Sequence, residues 1–599
     1  MTTTEPGHEP AFLGIEKSLS GRAWRERPAD RTVTDDHRRR LSLCEPVARA
    51  LAARGVAADA GELFLRPTLK DLFPDPASFA DMNLAAEVLV DALQHGAKVV
   101  VFADYDVDGA ASAALLMRWF RAMGQELDLY VPDRMNEGYG PTPAAFRRLK
   151  AGGADLVVTV DCGAAAGAAL EAAQAIDLPV VVIDHHLMGE RPPARAVVNP
   201  NRADCRSGQG ILAAAGVTFV LLTALNQEAR RRGLFDARDA PDPRRWLYLA
   251  ALGAICDVTP FTGFNRALVV RGLTVMSRWA NPGLAALLDV AGAPLGPAKV
   301  FDAGFILGPR INAGGRIGRS DLGARLLATD DAAEARVLAI ELDGLNARRR
   351  EVEDVVLREA IASVERQSNL DPSASVLIVA GDDWHPGVIG IVASRLRERY
   401  RKPVIVVGID RAAGIGRGSG RSQSGVNLGQ MVRAALDAGL ILGGGGHAMA
   451  AGLTVKPDTL PELRAFLATH EIGRQAGEAD DTLHVDVLTT AGGAKGIHGV
   501  FEALAPFGPG NPEPVFALGD VMAADVTEMR GGHLRASLID SAGARLPAIA
   551  WRSADTVVGR RLAAGGGAVH VAGRLRRDTW RGRDQMLLEV EDIADPRCC

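Results

Sequence analysis

A chain of 599 residues is too long for one hydrophobic core, so about three to five domains of roughly 100–200 residues are expected. With 47% hydrophobic and 24% charged residues it reads as globular rather than disordered, and no apolar run reaches the roughly 18–20 residues of a membrane span. A net charge of −5 excludes a uniformly basic coat for nucleic acid but leaves room for a local basic channel.

The N-terminus, MTTTEPGHEPAFLGIEKS, lacks a basic segment followed by an apolar one, so no secretory signal is expected. Residues 1–35 are polar and aperiodic and read as a loose arm. Residues 99–102 form a short apolar β-type run that ends in DYDVDG at 104–109, and a helix follows over 110–123. A second run, 156–160, ends at Asp161. A third, 179–183, ends in Asp184, His185 and His186. Apolar runs alternating with helices predict a parallel α/β sheet, whose ligands bind beyond the carboxyl ends of the strands. All three runs place carboxylates or imidazoles at that end. Residues 246–258 read as a helix delivering Asp257, and 331–367 as a long connecting helix interrupted only by Gly344. A linker is expected at 368–375. Two more β-type runs, 376–379 and 404–407, with Gly-rich loops at 414–420 and 443–446, predict a second, smaller α/β domain. Short runs at 534–539, 546–551, 569–571 and 587–590 predict a C-terminal β-barrel. The six cysteines, Cys44, Cys162, Cys205, Cys256, Cys598 and Cys599, contain no C-x-x-C pair, which points to reduced thiols in a cytoplasm rather than a zinc ribbon.

The acidic motif is not a calcium loop. That loop needs a bidentate Glu at its twelfth position, which counted from Asp104 is Leu115, and here an apolar strand precedes the motif instead of a helix. Carboxylates at alternate positions repel one another unless cations lie between them. A divalent pair about 3.5–4 Å apart resolves this and clamps a phosphodiester. Asp161 is placed to bridge the two ions, Asp257 to close the shell, and Gly109 to let the chain turn sharply into the helix. Mixed Asp and His ligation suits Mn²⁺, with Mg²⁺ second.

At these residues the sequence resembles the DHH phosphoesterase superfamily. Further segments resemble its RecJ branch: PDR at 132–134, EGYG at 137–140, PRINAGGR at 309–316, HPGVIGIVASR at 385–395, GSGRS at 418–422, GGGH at 444–447 and FGPGNPEP at 507–514. The resemblance covers about residues 90 to 599. It implies a parallel-sheet DHH catalytic domain at 91–275, after an N-terminal arm and helical segment at 1–90. A helical connector at 276–370 would lead to a DHHA1-like α/β domain at 371–478 and an OB-fold barrel at 479–599. It implies two Mn²⁺ ions, with Mg²⁺ as the alternative, held by Asp106, Asp108, Asp161, His185 and Asp257, with Asp104 as a further ligand. His186 would face the scissile phosphate and Arg316 would offset developing charge there. Arg134, Ser419 and Arg421 would hold a terminal 5′ phosphate, and His447 would contact the nucleic-acid backbone. Some members carry a His four residues before the equivalent of Asp106, where this chain has Phe102, so the first ion is expected to bind more weakly.

The implied activity is 5′→3′ degradation of single-stranded DNA in recombination and repair. A helicase and a single-strand binding protein are the implied collaborators. Of the C-terminal aromatics Phe501, Phe507, Phe516, Trp551 and Trp580, most are expected in the core and one or two against bases. Two other readings remain open: a DHH phosphodiesterase on short oligonucleotides or cyclic dinucleotides, and a catalytically inactive DNA-binding scaffold.

Overall fold

The computed structural model describes residues 10–134, 137–236, 239–370, 375–423, 425–469, 482–578 and 585–596; Trp580, Cys598 and Cys599 lie outside them. The chain divides into two compact units, one of Met1–Leu72, Pro260–Arg266 and Asp480–Cys599, the other of Phe73–Thr259 and Ala267–Ala479. Among the described residues no helix is long and apolar enough to cross a membrane.

The first unit opens with strand β1 (Ala23–Glu26), which pairs in parallel with the later strand Thr482–Val485. Trp24 is fully buried and its indole donates to Asp592 Oδ2 at 2.9 Å. The loose arm expected over 1–35 is therefore corrected from residue 10 onward. Its partner strand lies more than 450 residues away, where no local periodicity reports it.

In the second unit, β2 (Val99–Ala103), β3 (Asp128–Tyr130), β4 (Leu156–Val160), β5 (Val180–Ile183) and β6 (Ala196–Val198) form a parallel sheet in the order β3-β2-β4-β5-β6. Every residue of β2, β4, β5 and β6 is buried. That explains their continuous apolar character, since both faces of the sheet are covered. The strand order reverses between β2 and β4, the point beyond whose carboxyl ends such sheets place their ligands. The helices Val107–Ala122, Ala214–Arg231 and Leu247–Cys256 pack together beside it. The connecting helix runs unbroken from Ala332 to Leu370, a span of about 58 Å, with Gly344 accommodated inside it.

Beyond it, β7 (Leu377–Asp382), β8 (Val404–Asp410), β9 (Ile415–Arg421), β10 (Gly443–Gly446) and β11 (Ala450–Val455) make a mixed sheet ordered β10-β11-β9-β8-β7. Only β7 and β8 run parallel. The segments 414–420 and 443–446, expected as Gly-rich loops, are largely strands. A Cβ at Gly420 would lie 2.5 Å from Leu428 Cδ2, so its glycine marks a helix packed flush on the sheet.

The chain then returns to the first unit through β12 (Thr482–Val485) and β13 (Val487–Thr489). It continues with β14 (Phe516–Met529), β15 (His533–Ile539), β16 (Arg545–Ala550), β17 (Val569–Asp578) and β18 (Gln585–Ala594). Pairings run β14-β15-β16-β18-β17 and return from β17 to β14, and the helix Val557–Ala564 lies between β16 and β17. This is the connectivity of an oligonucleotide-binding barrel.

Candidate metal centre

Asp104, Tyr105 and Asp106 leave the carboxyl end of β2. Asp106 N-caps the helix Val107–Ala122, accepting from the amides of Asp108 and Gly109 at 2.8 and 3.1 Å. This cap starts the helix three residues earlier than the expected 110. Asp108 lies in the first helical turn, almost fully buried. Its oxygens accept from the amides of Ala214 and Ala215 at 2.6 and 2.9 Å, at the N-terminus of the helix Ala214–Arg231. A Cβ on Gly109 would stand 2.4 Å from the Asp104 carbonyl oxygen. Close approach of helix to strand end requires this glycine, in place of the sharp turn expected. Asp161 follows β4 with φ of 60°, a strained position for a non-glycine residue. Asp257 caps the C-terminus of the helix Leu247–Cys256.

These elements bring the expected ligands together. Asp104, Asp106 and Asp161 offer ligand atoms within 4.8 Å of one another, as do Asp108, His185 and Asp257, and as do Asp161, His185 and His186. The first two sets share no residue, which is the arrangement two ions need. His185 Nε2 lies 3.3 Å from Asp161 Oδ1 and 3.8 Å from both Asp108 Oδ2 and Asp257 Oδ2, so Asp161 and His185 stand between the sets. Asp104 Oδ1, Asp161 Oδ1 and His185 Nε2 are buried without a hydrogen-bond partner. Three unsatisfied acceptors at one point are costly unless a cation satisfies them, so these donors fit divalent metal ions.

The electrostatics agree. Burial, then neighbouring aspartates, hold the Asp104, Asp108 and Asp161 carboxyls well above the usual carboxylate range. Burial and Asp106 raise Asp257 to about 7. Burial and the adjacent His186 charge push His185 down to about 4, leaving the neutral imidazole a metal requires. His186 is different. Against its burial, the Asp184 carboxylate bonded to Nδ1 at 2.8 Å holds its pKa up at about 9. Asp184 also accepts from the amides of Ala164, His185 and His186. It is fully engaged and serves to orient His186, a role the sequence reading missed.

Tyr139 was missed as well. Its hydroxyl donates to the Asp161 carbonyl at 3.2 Å, and its ring meets His186 edge-on with centroids 5.9 Å apart. It lies inside the EGYG segment, which was its available signal. Asn312 Oδ1, in PRINAGGR, accepts from the Val107 amide at 3.1 Å and so holds the Asp106 helix.

Of the arginines expected to meet substrate, Arg134 lies over the Tyr105 ring at 5.0 Å, Arg316 donates to the Gly387 carbonyl at 3.0 Å, and Arg421 donates to Ser419 Oγ at 3.2 Å. Burial, then the Arg134 charge, lowers both Arg316, to about 10, and Arg421. Arg134 therefore lies close enough to repel both, and among the described residues none of the three pairs with a carboxylate. His385 and Arg348, missed by the sequence reading, belong to the same field: burial, then Arg134 and Arg348, lower the His385 pKa. His447 is exposed at the turn between β10 and β11, and no hydrogen bond or ion pair ties its ring to the cluster among the described residues. Phe102 is fully buried, its ring stacked on Tyr130 at 5.2 Å and near Phe146. In the barrel Phe501 and Phe516 are core, Phe507 packs against that core, and Trp551 is 53% exposed.

Residues 98–253 match the DHH family, N-terminal domain, 373–470 the DHHA1 domain, and 497–592 the RecJ OB domain. The chain is 33% identical to the single-stranded-DNA-specific exonuclease RecJ of Bacillus subtilis, over 95% of this chain and 70% of that protein. It is 39% identical to the protein of the same name from Escherichia coli, over 68% of this chain and 72% of that one. The crystal structure of RecJ in complex with Mn²⁺ from Thermus thermophilus superposes with a TM-score of 0.75 at 30% identity, covering 94% of this chain and 78% of that one. That protein has also been solved with Mg²⁺. Identity at this level across almost the whole chain, together with a strand-end cluster built for divalent ions, shows that the chain belongs to the RecJ family of the DHH proteins.

Proposed function

We propose that this chain is a two-metal exonuclease that hydrolyses single-stranded DNA from its 5′ end. The observation that carries the reading is the cluster of three buried, unpartnered ligand atoms, Asp104 Oδ1, Asp161 Oδ1 and His185 Nε2, in the same unit as an arginine group that no carboxylate among the described residues neutralises. Asp104, Asp106, Asp108, Asp161, His185 and Asp257 would hold the ions, which when bound would supply positive charge to the phosphoryl oxygens and lower the pKa of water. The chain's own residues do the rest. Protonated His186, aimed by Asp184, faces the scissile phosphate, and Arg316 meets the charge that develops there.

Arg134, Ser419 and Arg421 take the terminal 5′ phosphate, which carries more charge than an internal diester. Fixing that end at a set distance from the ions gives end preference with no base readout. His447 serves as a more distant backbone contact. The proposed setting is DNA recombination and repair in the cytoplasm, with a helicase opening duplex and a single-strand binding protein presenting the product. Free Cys44, Cys162, Cys205 and Cys256 suit a reducing compartment.

The decisive measurement is a time course in Mn²⁺ on single strands labelled at either end, beside a circular strand. Early loss of the 5′ label with the circle intact is expected. Early loss of the 3′ label, or cutting of the circle, would refute the 5′→3′ reading and leave a two-metal phosphoesterase. Preference for a dinucleotide over long strands would favour an oligonucleotide phosphodiesterase instead.

A further inference from the structure

The helix Leu247–Cys256 has Asp257 at its C-terminal end, and its other end faces a cavity of about 540 Å³ that shares no residue with the metal set. A helix of that length puts roughly 15 Å between the two. The cavity lies where this helix begins, the helix Gly263–Met276 ends and the helix Pro282–Val290 begins, and all its lining residues belong to the second unit.

Its charge is one-sided. Arg244, Arg245 and Arg278 line it against a single carboxylate, Asp242. Asp242 is committed to Arg244 by two bonds of 2.8 and 3.0 Å. Among the described residues the guanidinium groups of Arg245 and Arg278 have neither a hydrogen bond nor an ion pair. The N-terminal ends of two helices add partial positive charge. Below the arginines lies an unsatisfied donor. Tyr248 is 6% exposed, and its hydroxyl oxygen accepts from Asn281 Nδ2 at 3.0 Å, but among the described residues its own hydrogen has no acceptor. A buried donor left over in this way is uncommon. Asn281 cannot take it, since Nδ2 also donates to the Leu327 carbonyl at 3.1 Å and Oδ1 accepts from the Leu284 amide at 2.9 Å. One wall is the half-buried Trp279, whose Nε1 is fixed to the Gly296 carbonyl at 2.8 Å and whose backbone is held at a left-handed φ of 48°. Strain of that kind in a non-glycine residue gathers at ligand clamps.

We propose that this cavity is a second, non-catalytic site that binds a nucleoside 5′-monophosphate. Arg245 and Arg278 take the phosphate, the indole of Trp279 faces the planar base, and Tyr248 Oη donates to a ring nitrogen or carbonyl of that base. The volume is that of a small-molecule site. Free cations beside one flat aromatic wall and one buried donor match a nucleotide better than an acidic peptide, which needs an extended groove or a sheet edge. The choice of nucleotide rests on the exonuclease reading above, since each cut from the 5′ end releases one.

The test is titration of deoxyadenosine 5′-monophosphate, a ligand with no diester to cut, into the Mn²⁺-loaded chain. Saturation should need more than one nucleotide per chain, because the 5′ phosphate pocket and this cavity both fill. Arg421→Ala should weaken the first site. The doubly substituted Arg245→Ala, Arg278→Ala protein should weaken the second about tenfold or more while degrading single strands at the wild-type rate. Tyr248→Phe, which keeps the ring and removes only the hydroxyl, should weaken the same site severalfold. Inorganic phosphate and deoxyadenosine should each bind there about tenfold or more weaker than the nucleotide, since each makes only part of the contacts. Inorganic phosphate that binds as tightly as the nucleotide would show an anion site with no place for a base. Nucleotide binding that Arg245→Ala, Arg278→Ala leaves unchanged would put the ligand elsewhere, and an acidic peptide that occupies the cavity where the nucleotide does not would make it a protein-docking site; each of the three overturns the proposal. A wild-type chain that cuts no strand would sink the exonuclease reading, while the titration would still decide the site.

Discussion

Asp161 illustrates how a residue can be costly to the fold and yet fitted to a metal site. It sits at φ 60°, buried, with Oδ1 unpartnered and its carboxyl pushed up by burial and by Asp108, Asp106 and Asp104. Asp161→Asn should therefore lower Mn²⁺-dependent hydrolysis at least a hundredfold, on the order expected for loss of a bridging ligand. The same change should raise the stability of the metal-free protein by about 1 kcal/mol, because one source of like-charge repulsion is gone. Calorimetry in chelator checks the second half, and a drop in melting temperature would mark the carboxylate as structural. Phe102 is the opposite case. The sequence presents it as a missing ligand, but its ring belongs to the core with Tyr130 and Phe146. Phe102→His should cost about 2 kcal/mol of stability by burying an imidazole there. A tighter Mn²⁺ titration with unchanged stability would show that the position still reaches the metals.

At the scale of elements, strand ends and helix termini gather the ligands, and the gathering has a pH signature. In the metal-free protein Asp257 has a folded pKa of about 7, above its unfolded value. Its contribution to stability is fully present below the unfolded carboxylate pKa and is lost as pH rises through about 7. His186, raised to about 9, acts in the same direction at higher pH. His185, depressed to about 4, contributes above its unfolded value near 6.5 and loses that contribution as pH falls toward 4. Metal-free stability should thus fall between pH 6 and 8, by at most about 1.4 kcal/mol per pH unit for each group, and saturating Mn²⁺ should flatten the slope. Denaturant melts with and without chelator measure it; a metal-free slope that Mn²⁺ leaves unchanged would mean the ions do not neutralise this cluster. These elements were also the most legible part of the sequence. β2, β4 and β5 announce themselves because a covered parallel strand is apolar throughout. The three-residue strands β3 and β6 are too short to show a pattern, and the glycines of β9 and β10 read as loop because their packing partners, such as Leu428, are remote in sequence. Most of the candidate ligands were visible as acids or imidazoles at strand ends, with Asp257 at the end of a helix instead. The orienting task of Asp184 was not, since adjacent aspartates and histidines on a turn differ only in where their side chains point.

For the whole molecule, a net charge of −5 coexists with a local field strong enough that Arg134, Arg316 and Arg421 depress one another or their neighbours. The residues that make this field lie in one unit, with Arg316 bonded to the Gly387 carbonyl and Arg421 to Ser419 on its own strand. A phosphate group entering that field gains charge-assisted hydrogen bonds without first having to break an ion pair. A terminal phosphate gains more than a diester because it brings an extra oxygen and more charge. Strands with a 5′ phosphate should therefore be degraded faster than 5′-hydroxyl strands. Arg421→Ala should reduce that ratio about tenfold, while slowing the hydroxyl strand less. Binding should also weaken as salt rises, and loss of one phosphate contact should reduce the log–log slope by about 0.7. The two readouts are independent, one comparing ends and the other counting counterions. If Arg421→Ala kept both the wild-type end preference and the wild-type slope, the 5′ phosphate would have to be held elsewhere, and the fixed distance from pocket to ions would no longer explain why cutting begins at that end.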